Sequence, residues 1–414
     1  MNKPSPLYPQ TCDSRAGVRL GFGRRGLLLG AGAALSMGRA TLSMAAAPTD
    51  KRLVVVLLRG ALDGLAAVPP YGDPNLTAWR GALLPPGVGQ PNGMLDLGGF
   101  YGLHPVLTGM QRLYQDNDLL IIHAIAASYR SRSHFEAQDW LESGAKSEKL
   151  GSGWLNRAVT LLPPRNGDDA EAVAVSVIVP LLLRGQAAVA TWAPPAFAPL
   201  DPALYRGIAE LNREDAILGP AIANALRQRG IADIAMQDSH LPGNPDGFAY
   251  LAGSAAELLR EADGPRVAAL EIEGWDTHSA QPGRIQSPLR DMDAGLVALR
   301  SGMGDMWRDT VVLVITEFGR TVRANGTLGT DHGTGTVAFV AGGSVAGGIV
   351  RANWPGLKRD NLFENRDLQP TIELRAVVKG VLRDHLGLDT AALSQVFPGS
   401  EHVAPVDRLL RQPA

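Results

Sequence analysis

Cysteine is nearly absent from this 414-residue chain: the one cysteine, Cys12, lies in an N-terminal segment that does not read as part of a fold. Everything downstream is therefore without disulfides, thiol nucleophiles or zinc-type cysteine pairs. An excess of either charge is missing as well. Lys and Arg total 39 against 41 Asp and Glu, for a net charge of -2. No basic excess points to a nucleic-acid partner, and no acidic block suggests a tail. There is no internal repeat and no heptad pattern, which excludes solenoids and coiled coils. What remains is 45% hydrophobic and 19% charged, the composition of a globular chain long enough for one large domain or two small ones. With 48 glycines and 29 prolines it is rich in loops.

The N-terminus reads as an address. Arg24 and Arg25 precede the apolar, Gly- and Ala-rich run "GLLLGAGAALSMG", and "SMAAAPTD" supplies the small residues Ala45 and Ala47. This is the layout of a twin-arginine signal peptide over 1–47, cleaved near Ala47. The apolar run is short and glycine-rich for a hydrocarbon core of about 30 Å, so no stable membrane span is expected. The expectation is a protein exported to the periplasm or beyond, with the twin-arginine translocase as a partner during export and 48–414 as a single domain.

Buried strands and helices alternate along that domain. Leu53–Leu58, Asp118–Ala127, Ala172–Val179, Arg266–Gly274, Thr310–Thr316 and "TVAFVAGG" are apolar, β-branched runs of the kind buried on both faces. Between them lie helical patterns: "LHPVLTGMQRLYQ", "SHFEAQDWLESG", "GWLNRAVTLL", "QSPLRDMDAGLVALRSGM" and "PTIELRAVVKGVLRDHLG". Ser133 with Glu136 predicts a capping box and Gly144 a helix stop. An alanine-rich, charged stretch near 194–263 reads as a helical insertion. The alternation predicts an α/β fold, a doubly wound and mostly parallel sheet sandwiched by helices.

In such sheets ligands bind beyond the carboxyl ends of the strands. The polar residues found there form a short set: Asp63; Arg132, Ser133 and His134; Asp276 and His278 in "GWDTH"; Glu317 and Arg320; and Asp331 and His332 just before the last strand. Carboxylates and imidazoles together suit zinc, manganese, magnesium or iron. Asp276 and His278, two apart, point to one side if the segment is extended. Ser133 at a helix start is either a cap or a nucleophile. Arg132 or Arg320 could grip anionic oxygens as a planar fork. The glycines of "TEFGRTVRANGTLGTDHG" would let that loop lie close to a ligand. His104, His123, His240, His385 and His402 take the ordinary reading, with His123 a satisfied core histidine.

The motifs "LLRGALDGL", "LHPVL", "RSHFEAQDWLESG", "GWLNRA", "GWDTH", "TEFGRTVRANGTLGTDHG" and "WPGL" occur in this order between about Leu53 and Pro398. Their set resembles the twin-arginine-exported family called domain of unknown function 1501, grouped with the alkaline phosphatase superfamily. The resemblance implies an alkaline phosphatase-like domain holding a divalent metal (zinc, manganese, magnesium or calcium) and acting on a small-molecule or polymer ester. It implies Asp63 as a metal-bridging aspartate, Ser133 as the nucleophile, and Asp276 and His278 as a second ligand pair. Two registers remain for the last part. Asp331–His332–Gly333 reads like the superfamily's Asp-His-Gly; alternatively Glu317 holds the post-strand position and His332 is the later histidine. The second is favoured, since strand order is harder to change than a tripeptide. It leaves Phe318 where histidine is expected, and Thr334 likewise departs from the pattern. The expectation is a metal-dependent hydrolase of a phosphate or sulfate ester, using a serine or metal-bound water as nucleophile; the alternative is a non-catalytic periplasmic binding protein on the same fold.

Overall fold

The computed structural model describes residues 51–145, 150–163, 170–194 and 247–411, with isolated positions between 207 and 236. The chain divides into two units, Met1–Ala45 and Ala46–Ala414, and every described residue lies in the second. The expected signal segment, His240 and most of the expected insertion fall outside the described residues. No helix among the described residues is long and apolar enough to cross a membrane.

Among the described residues the main sheet has nine strands: β1 (Arg52–Leu58), β4 (Leu119–Ala126), β5 (Ala172–Val175), β6 (Val189–Trp192), β7 (Val267–Ile272), β8 (Thr310–Thr316), β9 (Thr336–Ala341), β10 (Ile349–Arg351) and β11 (Ile372–Glu373). A separate pair joins β2 (Leu95–Asp96) to β3 (Gly102–Leu103). The order across the main sheet is β10-β4-β9-β8-β1-β7-β5-β6, with β11 also on β4. Every pairing in it is parallel except those of β9, which runs antiparallel to both β4 and β8. That reversal places the start of β9 at the same edge as the ends of β1, β4, β7 and β8.

The helices are α1 (Gly64–Ala67), α2 (Leu76–Arg80), α3 (Thr108–Gln115), α4 (His134–Ser143), α5 (Trp154–Thr160), α6 (Phe248–Arg260), α7 (Gln281–Arg284), α8 (Gln286–Met303), α9 (Leu374–Leu386) and α10 (Thr390–Val396). Alternate residues of β1 serve opposite layers. Val54, Val56 and Leu58 join a core with α3, α6 and α8, while Leu53, Val55 and Leu57 join one with α5, α9 and α10. Both faces are covered, which is why these strands carry unbroken apolar runs. The fold is thus the expected α/β sandwich.

Three local expectations are corrected. The run Ala172–Val179 leaves the sheet at Val175; Ser176 turns the chain by accepting from the Ile178 amide, and Val177 and Ile178 are exposed. The insertion drawn to 263 reaches too far, because α6 packs Phe248, Ala252, Ala255 and Leu259 into the core. Ser133 occupies the N-cap of α4 but makes no side-chain cap bond, and Glu136 accepts from the Tyr129 hydroxyl instead of closing a capping box. Gly144 and Gly387 do end α4 and α9 in the left-handed conformation.

His123 is fully buried; its Nε2 donates to the Val68 carbonyl and its Nδ1 accepts from the Ala124 amide. His385 is similarly buried, with Nε2 on the Arg52 carbonyl. Burial pushes both down to about 4 from the ordinary 6.5, so both are neutral in the fold. The unfolded chain takes up these protons more readily. Stability is therefore full above pH 6.5 and falls between pH 6.5 and 4, by about 3 kcal/mol per histidine. Urea unfolding from pH 7 to pH 4 should show this decline, and a flat profile over that window would refute the neutral buried pair.

Candidate metal centre

Four donor atoms converge at the carboxyl edge of the sheet. His134 is the first residue of α4, Asp276 and His278 follow β7, and His332 precedes β9. His332 Nε2 lies 2.9 Å from His134 Nε2 and 3.0 Å from His278 Nε2. Asp276 Oδ1 lies 3.0 Å from His278 Nε2, 3.3 Å from His332 Nε2 and 3.7 Å from His134 Nε2.

The far side of each ring explains this convergence. His134 Nδ1 is 2.8 Å from Glu317 Oε1, His278 Nδ1 is 3.3 Å from Asp331 Oδ1, and His332 Nδ1 is 3.0 Å from the Arg132 carbonyl. All three partners are acceptors. A neutral imidazole has one proton, and here it belongs on Nδ1, which leaves an Nε2 lone pair directed inward. His134, Asp276 and His332 each offer one donor atom within 4.8 Å of the other two, and His278 Nε2 stands beside His332 and Asp276 while also facing Arg320 Nη1 at 3.5 Å. Ligands at 2.0–2.1 Å around a tetrahedral zinc lie about 3.3 Å from one another. The donor set therefore fits a divalent cation, and histidines pinned through Nδ1 by acceptors are the usual surroundings of a metal.

Glu317 stands one layer out. It is buried, and its Oε1 accepts from the Gly60 amide (2.8 Å), His134 and Gln138 (3.2 Å), its Oε2 from the Thr316 hydroxyl (2.8 Å). Burial works to raise this carboxyl, and those hydrogen bonds, His134 first, carry it below the ordinary value. The Glu317 bond in turn raises His134, while burial and the neighbouring charges of His134 and Arg320 lower His332. Asp331, half exposed, orients His278 and accepts from Asn325 Nδ2 at 3.2 Å.

Other candidates are used differently. Asp63 is 1% exposed and lies outside the cluster. It pairs with Arg80 (Nη1–Oδ2 2.6 Å, Nη2–Oδ1 3.1 Å), accepts from Gln281 Nε2 (2.5 Å) and caps α1 at the Leu65 amide (3.2 Å). Arg320 is buried with its donors committed: Nε to Ala61 O (2.9 Å), Nη1 to Thr330 O (3.1 Å), and Nη2 to Gly60 O (2.8 Å), Trp275 O (3.1 Å) and Asp276 Oδ1. Arg132 turns its guanidinium away, to Asp367 (2.9 Å) and Glu364 (2.6 Å). Neither arginine is free to grip a substrate. Ser133, half-buried, precedes His134 with no cap bond. Phe318 packs on the His134 ring at 4.9 Å, and Thr334 donates to Asp367 at 2.8 Å.

The glycines of the 317–335 loop also have another role. A Cβ on Gly333 would come within 2.3 Å of the Arg320 carbonyl carbon, and one on Gly329 within 2.2 Å of that of His278. They let backbone pack on backbone and not on a ligand. Backbone strain gathers here too: Ala61, Arg132, Ala280 and Leu328 all have positive φ, at about 1–3 kcal/mol each. His134 was the one ligand-type side chain placed beside the site by sequence but not assigned to a metal. Its signal was its place directly after Ser133 at a helix start.

A doubly wound α/β sheet carrying a histidine and carboxylate cluster at its carboxyl edge defines the class. The chain belongs to the family described as protein of unknown function DUF1501, whose model matches residues 127–397. No curated protein matches the sequence. Among solved structures, the chain is similar to BT1596, a 2-O GAG sulfatase, at 13% identity and a TM-score of 0.36, covering 87% of this chain and 74% of that one. It is also similar to the C-terminal periplasmic domain of EcEptC from Escherichia coli, in complex with Zn, at 9% identity and a TM-score of 0.29, covering 71% and 73%.

The two aspartates separate by experiment. Asp63→Ala strands the buried Arg80 charge and should cost about 3–5 kcal/mol in denaturant unfolding while leaving metal stoichiometry unchanged. Asp276→Ala removes the carboxylate that pairs with buried Arg320, so it should also cost stability, but it should in addition lower metal content. The reverse pattern would put the centre at Asp63.

Proposed function

We propose that this protein is an exported, metal-dependent hydrolase of a phosphate or sulfate ester, with one divalent cation held by His134, His278, His332 and Asp276. The convergence of three Nε2 lone pairs on one carboxylate oxygen, each ring pinned from behind, is the observation that carries this reading. Three imidazoles with one carboxylate favour a borderline ion such as zinc or manganese over magnesium or calcium, which prefer all-oxygen sets. When bound, the cation supplies positive charge against the negative charge that develops on a transferring phosphoryl or sulfuryl group, and makes a nearby hydroxyl more acidic.

The chain's own groups supply the rest. Ser133, free of a capping bond and next to His134, has a hydroxyl available to attack; the ester oxygen leaves as the alcohol and water then releases the acid. Water attacking directly gives the same products. The first-turn amides of α4 have no partners within the helix and are suited to anionic oxygens. With Arg132 and Arg320 committed elsewhere, these amides take the role expected of the arginines. Glu317 and Asp331 hold their histidines in the tautomer that ligates. Kinship with the alkaline phosphatase superfamily, export by the twin-arginine route and a small-molecule or polymer ester substrate belong to the same proposal.

Metal analysis with an ester screen tests it. The protein purified from the periplasm should carry one equivalent of zinc or manganese and hydrolyse at least one aryl phosphate or sulfate. Glu317→Gln should weaken metal affinity by roughly 10–100-fold. Ser133→Gly should keep Tm within a few degrees, because glycine also caps, while abolishing turnover; full activity there would assign the attack to water. A wild type that binds no metal and cleaves no ester would sink the proposal and leave a binding protein.

A further inference from the structure

β11 leads directly into α9, and Arg375 lies in the first turn of that helix. It is 6% exposed. Its Nε donates to Glu373 Oε1, but Nη1 and Nη2 are buried with no hydrogen-bond partner. Buried donors are almost always met, and leaving charged ones unmet is costly. Arg375 is among the residues that line a cavity of about 20 Å³, a little more than the roughly 10–15 Å³ that one water requires. Its walls are mostly apolar, formed by Trp140, Leu141, Trp154, Leu374, Val378 and Phe397.

Charge and chemistry narrow the occupant. Arg130 lies within electrostatic reach of Glu373, the carboxylate that pairs with Arg375. Lys379 lies close enough to feel Arg375 and gives its protons to the neutral carbonyls of Ser400 and Val403. Against these three cations stand Glu373 and the exposed Glu401, leaving one positive charge in surplus among the described residues. A water molecule could accept from the guanidinium, but it would have to place two protons of its own among apolar walls. A monovalent anion has no protons to place and cancels the surplus. Sulfate or phosphate would need more room and more donors.

We propose that Arg375 forms a buried site for a small monovalent anion, a halide such as chloride, held by Nη1 and Nη2. The remaining walls give the site its significance. Ala127 and Ser128 begin the segment that runs to His134, Trp140 and Leu141 belong to the helix that His134 starts, and Ile315 lies two residues before Glu317. An ion here steadies the segments that carry a cluster histidine and its carboxylate partner. The inference does not rest on the hydrolase reading.

Thermal unfolding of the full periplasmic chain in sodium chloride against sodium isethionate, at equal ionic strength, tests it. Chloride should raise Tm saturably, by roughly 2 °C or more, and Arg375→Met, of similar length and at home among apolar walls, should lose that response. Crystals soaked in sodium bromide should show anomalous density beside Arg375 Nη1 and Nη2. If Arg375→Met does not fold, the wild-type bromide peak decides alone. A wild-type Tm indifferent to halide with no bromide peak at Arg375 overturns the proposal, as does a variant that keeps the full halide response.

Discussion

The Arg320 guanidinium is the interaction on which the rest of this site depends. It is buried beneath the carboxyl edge of the sheet and joins three separate pieces of chain: Gly60 and Ala61 after β1, Trp275 and Asp276 after β7, and Thr330 in the long loop before β9. A buried charge is tolerable only when its donors are satisfied, and four carbonyls and a carboxylate satisfy it. Its contact with Asp276 holds that carboxylate below its ordinary range against the opposing effect of burial. The same contact fixes which oxygen faces the three histidines. Lysine could not serve, because a point charge cannot span acceptors on three loops as a planar fork does.

A second buried pair supports the first. Asp63 and Arg80 bind each other through both oxygens, and Arg80 also reaches the carbonyls of Thr321 and Val322. Gln281 extends the network from Asp63 to the hydroxyls of Thr277 and Thr330, between Asp276 and His278 on one side and ahead of His332 on the other. The positive-φ residues at Ala61, Arg132, Ala280 and Leu328 show that this edge is held against local backbone preference. Strain of that kind persists where surrounding bonds over-determine the geometry. The outcome is a set of ring nitrogens held in place by the protein's own contacts.

The division of labour among the carboxylates follows from their depth. Glu317 and Asp63, both 1% exposed, serve as internal partners for a histidine and an arginine. Asp276 and Asp331, about half exposed, stand at the mouth of the site. Asp276 alone among them contacts all three histidines through its Oδ1. The cavity beside Arg375 is lined by Trp140 and Leu141, which belong to the helix that His134 starts.

Much of this was legible from sequence. Unbroken apolar runs such as Val311–Ile315 mark strands buried on both faces, because only a doubly covered sheet tolerates them. Gly144 and Gly387 mark helix ends by their need for a left-handed conformation. With the strands known, the residues following them locate the site edge, and the cluster's residues lie there. What the sequence could not determine is which side chains meet. Asp63 follows β1 as a ligand would, but its partner Arg80 is brought to it by α2 and the turn before it, a packing decision that no local pattern records. Glu317 and His134 carry ligand chemistry alike; only the approach of α4 to the end of β8 makes one the donor and the other its support. His332 precedes its strand and would lie at the far edge of an all-parallel sheet. The reversal of β9, fixed by pairing with β4 and β8, brings it to the same edge as the rest, and strand direction is a property of the assembled sheet.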